Sequence, residues 1–397
     1  MNPAVPFEIV FQPAPMENLA LPMGLDGCAG SNRAPPGRAQ IAANNDVDAI
    51  KAWLARFIDT KTTFDNYRKE AERLLLWCTV ERGKPLSSLH HEDWLAYKEF
   101  LRDPRPAARW VTPAGRKFPR SHPAWRPFAG PLSAASQRQS AVILNALFSW
   151  LVNAGYLAGN PLALSRERKR RGPARVTRYV EDDIWAEIKA GIDALPRDTP
   201  RDREHYYRLR WLFTLLYVCG LRISEVIGTD MGAFFQRRDK GGVERWWLEV
   251  LGKGDKLRIV PATGELMAEL AQYRRQLGMP PLPSPHEAAP LLLPIGGKHR
   301  SLTRGGVHAI VKQVFALTAE RFRRRGPEYE PDALRVLQVS AHWLRHTAGS
   351  HMANGALDLR HVRDNLGHES ISTTNIYLHS PDDLRHAETE EKHRINW

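Results

Sequence analysis

The chain has 397 residues, 57 Lys and Arg against 44 Asp and Glu, and a formal net charge of +13. That length excludes a small stapled scaffold and predicts two or three domains. With 43% hydrophobic and 25% charged residues, the composition also excludes a fibrous or globally disordered chain. The positive surplus favours a polyanion such as nucleic acid without saying which.

Cys28, Cys78 and Cys219 lie far apart, and their odd number suggests neither a disulfide framework nor a Cys-type zinc site. A reducing, cytoplasmic setting is expected. The opening MNPAVPFEIVFQPAPMENLALP lacks a basic leading region and is broken by prolines, so it does not read as a signal peptide. No stretch reaches the roughly 18 apolar residues of a membrane span, and no membrane partner is expected.

Residues 1–45 hold Pro3, Pro6, Pro13, Pro15, Pro22, Pro35 and Pro36, and they read as a mostly disordered arm. From Asp46 the pattern turns helical. Phe64, Tyr67, Ala71, Leu74, Leu75 and Cys78 recur at helical spacing, and Gly83 supplies the stop. Further helices are predicted over 90–101 and 133–157, which gives an all-helical first domain over 46–164. Between them, residues 103–131 carry seven prolines, six basic residues from Arg105 to Arg126, and Trp110, Phe118, Trp125 and Phe128. Prolines forbid a regular element there. Interleaved Arg116, Lys117 and aromatic side chains suit a nucleic-acid backbone, or the stretch is a surface loop whose aromatics pack on the neighbouring helices.

Residues 165–178 contain Arg166, Arg168, Lys169, Arg170, Arg171, Arg175 and Arg178. They read as a basic linker that also crosses DNA, with a solvated charge run as the bland alternative. A second domain over 179–397 is predicted to be mainly helical, with helices at 181–195, 203–220, 264–278, 304–322, 342–355 and 357–367. Two β-rich runs around Gly252-Lys253-Gly254-Asp255 form a hairpin.

Four segments of this domain stand out: GLRISEV (220–226), LGKGDK (251–256), SAHWLRH (340–346) and LGHESISTTNIYLH (366–379). Singly each has an ordinary reading. Arg222-Ile-Ser-Glu225 reads as an intrahelical surface pair, GKGDK as a solvent turn that lacks P-loop spacing, and His342 with Arg345 as one helix face. Together they supply arginines, a lysine, histidines and a tyrosine, which suits a phosphodiester. The guanidinium forks of Arg222 and Arg345 match non-bridging phosphate oxygens, His342 and Lys253 can move protons, and Tyr377 is a candidate covalent nucleophile.

In this order and spacing the segments resemble the tyrosine recombinase (phage integrase) family, nearest in style to Xer-type enzymes. TFDNYRKEAERLLLW and QSAVILNALFSWLVNAGYLAGNPL resemble the opening and last helices of the family's core-binding domain. The resemblance covers about residues 46–385. It implies a mainly α fold, with an all-helical SAM-like core-binding domain and a mostly helical catalytic domain carrying a small antiparallel sheet. It further implies Arg222, Lys253, His342, Arg345 and His368 as catalytic residues and Tyr377 as nucleophile, with Lys256 a near alternative to Lys253.

The activity so implied is site-specific DNA recombination through a 3′-phosphotyrosyl intermediate and a Holliday junction, without ATP, metal or other cofactor. The implied partners are double-stranded DNA, a homotetramer or heterotetramer on two sites, and accessory DNA-bending or directionality factors. Residues 380–397 would be exchanged between subunits. A type IB-like topoisomerase and a catalytically inactive DNA-binding regulator are the competing classes. The arm, the 103–131 insertion and the stretch 323–339 exceed a minimal Xer-like enzyme and favour an integrase or transposon-type role.

Overall fold

The computed structural model describes residues 13–22, 24–35, 37–113, 116, 118–165, 179–252, 254–296, 300–355, 357–370 and 374. The chain divides into two compact units, Met1–Arg170 and Arg171–Trp397. The division falls in the stretch read as a basic linker, whose residues 166–178 lie outside the described residues.

The first unit contains α1 (Asp46–Ala55), α2 (Lys61–Val80), α3 (His91–Arg102), the short α4 (Ala107–Trp110) and α5 (Ala134–Asn153). Asn45 starts α1 by accepting the Asp48 amide at 2.8 Å, and Ser133 starts α5 by accepting the Ser136 amide at 3.2 Å. Ala71, Leu74, Leu75 and Cys78 of α2 face Leu144, Leu147, Phe148 and Leu151 of α5 in one buried core. The helical spacing read from the sequence is thus the spacing of the packed stripe.

Two segments depart from their sequence reading. The described part of residues 13–45 is packed chain and not a loose arm. Met16 is buried and donates its amide to Glu72 Oε1 at 2.6 Å, Asn32 donates to the Ser87 carbonyl at 2.8 Å, and Gln40 to the Ala154 carbonyl at 2.8 Å. The prolines leave only the short 3-10 turn Met16–Asn18, and otherwise an extended chain free to spend its amides on the segments beside it.

In the 103–131 insertion, Trp110 and Phe128 are fully buried, and both meet Phe100 edge-on, at 5.1 and 5.8 Å between centroids. Trp110 Nε1 donates to Glu81 at 2.7 Å. For these two aromatics the packing alternative holds, since rings inside a core cannot stack on a base. Arg116 is exposed, and Lys117 lies outside the described residues.

The second unit contains α6 (Asp182–Asp193), α7 (Pro200–Val218), α8 (Ile223–Gly228), β1 (Phe234–Arg238), β2 (Glu244–Leu251), β3 (Leu257–Pro261), α9 (Gly264–Gln276), α10 (Arg304–Arg323), α11 (Glu330–Gln338), α12 (Ala341–Asn354) and α13 (Leu359–Leu366). The expected hairpin is β2–β3, with Leu251 opposite Leu257. β1 adds a third antiparallel strand in the order β1-β2-β3. The stretch 323–339 is largely α11, which begins with Pro331 in its first turn, where a missing amide costs nothing. Trp211, Leu212, Leu215 and Leu216 of α7 form the centre of this unit's core. Among the described residues, no helix is long and apolar enough to cross a membrane.

Arg120 ties the insertion down. Its guanidinium donates to Glu72 Oε1 and Oε2 at 2.6 and 2.9 Å and to Glu17 at 2.5 Å, and the Glu72 side chain is 1% exposed. Arg120→Ala leaves that carboxylate buried without its cation, and a loss of about 3 kcal/mol is expected. A lowered urea midpoint, partly restored when Glu72→Gln is added, checks it.

Candidate active site

Arg222 lies at the corner between α7 and α8, where Gly220 takes a positive φ of 57°. A Cβ on Gly220 would stand 2.5 Å from Leu366 Cδ2, so the close approach of α13 requires the glycine. The Arg222 amide donates to Glu225 Oε2 and its Nη1 to Glu225 Oε1, both at 2.7 Å. The Arg-Ile-Ser-Glu pair therefore exists as an i,i+3 contact, but not on the surface, because the Glu225 side chain is 2% exposed. Arg258 of β3 adds two parallel hydrogen bonds to the same carboxylate, each 2.9 Å. Four donors thus fill its acceptor sites. Burial pushes the Glu225 carboxyl up. The hydrogen bonds and charge of Arg258, then those of Arg222, outweigh it and hold the pKa at about 2.

Arg345 of α12 is buried, with Nη1 4.0 Å from Glu225 Oε2. The same Nη1 donates to the Gly220 carbonyl at 2.5 Å, and Nη2 donates to the Leu366 carbonyl. His342, one turn earlier, is exposed and meets the His346 ring edge-on at 4.4 Å. Arg222, His342 and Arg345 line one cleft of about 260 Å³ together with Ser224 and Arg304.

His368 follows Gly367, whose left-handed φ of 60° ends α13. Its Nδ1 is 3.1 Å from Thr374 Oγ1. Burial first, then the charges of Arg345 and Arg222, depress its pKa to about 4, so the ring is neutral at pH 7. Lys256 pairs with the exposed Glu369 at 2.7 Å. Lys253 and Tyr377 lie outside the described residues, as do Arg168, Lys169, Arg170 and Arg171.

Four of the six expected catalytic residues are therefore described, and three of them share one cleft. The reading of the sequence missed Glu225, Arg258 and Arg304. The spacing of Glu225 from Arg222 was visible, but nothing local marks it as buried. A larger cavity of about 420 Å³, lined by Trp185, Tyr217, Glu265, Glu269 and His351, contains none of the expected catalytic residues. Among the described residues, no group of three or more His, Cys, Asp or Glu side chains is gathered as a metal site.

The depressed His368 pKa has a signed consequence. Between the ordinary histidine value of about 6.5 and the folded value, the unfolded chain binds a proton that the folded chain refuses, so stability falls as pH drops through that window. NMR titration of the His368 ring is expected to give a midpoint of about 4. The midpoint should rise in Arg222→Gln, and one near the ordinary value in the unmodified protein contradicts the buried, cation-flanked placement.

The sequence model of the Phage integrase family matches residues 189–383. The chain is 28% identical over 333 residues to the tyrosine recombinase XerD of Rhizobium meliloti (strain 1021), covering 82% of this chain and 94% of that protein. To the tyrosine recombinase XerC of Mycobacterium sp. (strain KMS) it is 30% identical over 245 residues, 62% of this chain and 71% of the relative. The XerH site-specific recombinase in a post-cleavage complex with a palindromic difH substrate shares the fold, with a TM-score of 0.57 at 17% identity over 96% of this chain and 99% of that one. On the matched sequence, the shared fold and the gathered arginines and histidines, the chain belongs to the phage integrase family of tyrosine recombinases.

Proposed function

We propose that this tyrosine-type site-specific recombinase cuts and rejoins double-stranded DNA through a 3′-phosphotyrosyl intermediate, with Tyr377 as the nucleophile. The observation that supports this reading most is the convergence of Arg222, His342 and Arg345 on one cleft of about 260 Å³. Two guanidinium groups beside one small cleft suit a phosphate whose negative charge grows in the transition state. XerH, a recombinase of the same fold, is bound to its difH DNA substrate, which supports DNA as the substrate class here.

The chemistry is a transesterification. The Tyr377 oxygen forms a bond to the scissile phosphorus as the bond from phosphorus to the 5′ oxygen breaks. The phenol proton leaves through His342, and Lys253 protonates the departing 5′ oxygen. His368, neutral at pH 7, serves the phosphate as a hydrogen-bond donor and adds no charge. The phosphotyrosine stores the energy of the broken bond, so a 5′-hydroxyl from a second duplex reverses the step without ATP. Two such rounds pass through a Holliday junction.

Arg168, Lys169, Arg170 and Arg171, with Arg116 and Lys117, would contact the DNA backbone. A tetramer of this chain, or of this chain with a related recombinase, would hold two sites and exchange residues 380–397 between subunits, aided by accessory bending or directionality factors. The arm and the 103–131 insertion favour an integrase or transposon-type recombinase of the bacterial cytoplasm.

Covalent trapping tests the chemistry. On nicked duplexes recovered from a random pool by binding to the full chain, wild type is expected to form a protein–DNA adduct and Tyr377→Phe none. Arg222→Ala should slow adduct formation by about 10²-fold or more while half-site binding persists. Absence of any wild-type adduct refutes the reading.

Binding and chemistry separate at the linker. Neutralising Lys169, Arg170 and Arg171 together should weaken binding to all sequences and flatten the slope of log affinity against log salt by about 3. A loss restricted to one sequence argues against backbone contact.

A further inference from the structure

Arg258 is the second residue of β3, on the strand that leaves the Gly252–Lys256 turn, and its side chain is 10% exposed. Three hydrogen bonds fix it. Nη1 and Nη2 grip the two oxygens of Glu225 at 2.9 Å each, and Nε donates to the Asn365 carbonyl at 3.2 Å. The guanidinium therefore touches the carboxylate under Arg222 and the last turn of α13 at once.

Two glycines mark how closely the surroundings fit it. A Cβ on Gly367, immediately before His368, would lie 2.7 Å from Arg258 Cδ, and one on Gly252, at the base of the turn that carries Lys253, would lie 3.4 Å from its Nη1. The chain thus makes room on both sides for this one side chain. Lysine has three donors but on a single nitrogen, and lacks the planar fork that spreads them over Nε, Nη1 and Nη2 in this geometry.

We propose that Arg258 is a positioning residue for strand cleavage, which orients Arg222 through Glu225 and sets the place of His368 through the end of α13. The inference rests on the recombinase reading of the cleft. Arg222 engages both oxygens of Glu225 through its amide and its Nη1, but only within one turn of the same chain segment. The bidentate grip from a β-strand anchors that local pair to a second element. The carbonyl contact at Asn365 ties the same strand to the helix end from which His368 emerges. Removing Arg258 also takes one cation from a buried carboxylate, so some loss of stability is expected, and the split between binding and cleavage is what tells positioning from it.

The test uses the full chain and nicked duplexes recovered from a random pool by binding, with half-site affinity, single-turnover cleavage and thermal melting measured for each variant. Arg258→Met should bind within about twofold of wild type yet cleave about 10²-fold more slowly, because a small misplacement of catalytic groups costs rate and not affinity. Arg258→Lys, which keeps a charge and the fold, should recover only part of the rate, so the idea stays testable even if the methionine variant unfolds. Adding Glu225→Gln to Arg258→Met should cost little more, since both changes break one linkage.

A pH readout separates positioning from bulk stability. The charged groups facing Glu225 among the described residues are Arg222 at the start of α8, Arg258 from β3 and Arg345 from α12. With Arg258 gone, burial lifts the Glu225 carboxyl. The ratio of Arg258→Met to wild-type cleavage should therefore fall as pH is lowered, and the double variant should lose that dependence. Wild-type rates in either Arg258 variant, equal losses of binding and cleavage, or additive single losses would overturn the proposal. If wild type itself forms no adduct, the recombinase reading fails instead, so the two failures are distinct.

Discussion

The carboxylate of Glu225 is the contact on which the geometry of the cleft depends. Arg222, Arg258 and Arg345 all approach it, two through direct hydrogen bonds and the third at 4.0 Å. Like charges about 4 Å apart in a partly desolvated site repel by roughly 4 kcal/mol. Under the proposed function, arginines brought together to receive one phosphate would therefore spread apart before it arrives. A buried anion between them holds them at working distance, and its depressed pKa keeps it charged well below neutral pH.

Backbone carbonyls do the rest of the holding. Gly220 and Leu366 accept from Arg345, and Asn365 accepts from Arg258. Leu366 and Asn365 close α13, and the last turn of a helix leaves carbonyls without helical partners. The end of α13 is thus satisfied by the arginines of the site, and the arginines are oriented by the end of α13. Such reciprocity ties the place of His368 to the same two side chains. It also explains the two positive-φ glycines at the junctions, since at both Gly220 and Gly367 a side chain would collide with a partner in this arrangement.

What the sequence made legible was residue chemistry, and what it hid was context. Arg222, His342, Arg345 and His368 announce themselves by type and order. Glu225 and Arg258 do not, because a Glu three residues after an Arg is an ordinary surface pair until other elements cover it. β1 was missed because its turn, Asp239-Lys240-Gly241-Gly242, lies in a charged run that reads as loop. Yet Asp239 Oδ1 accepts the amides of Gly241 and Val243, both at 2.9 Å, which closes the turn. α11 was obscured by Pro331, which ends helices in their interiors and begins them in their first turn. The strap formed by residues 13–45 depends on partners such as Ser87 and Ala154, far along the chain.

The structure also changes what the net charge means. In the 103–131 insertion, Arg105 pairs with Asp103, Arg109 with Glu81 and Arg120 with Glu72 and Glu17, while Arg126 donates to backbone carbonyls. In the second unit, Arg210, Arg274, Arg321 and Arg335 are likewise joined to Glu269, Glu287, Glu187 and Glu181. All of these cations but Arg126, whose carbonyl partners leave its charge unbalanced, are matched by an anion and do not account for the surplus. Residues 166–178 contain seven basic residues against Glu167 alone, which makes six of the thirteen excess charges local to one short stretch. Long-range attraction to a polyanion follows unbalanced charge and not the number of arginines. Under the proposed function the grip on DNA is to be sought in that stretch together with Arg116 and Lys117, while Arg105, Arg109, Arg120 and Arg126 of the insertion hold a proline-broken loop in place.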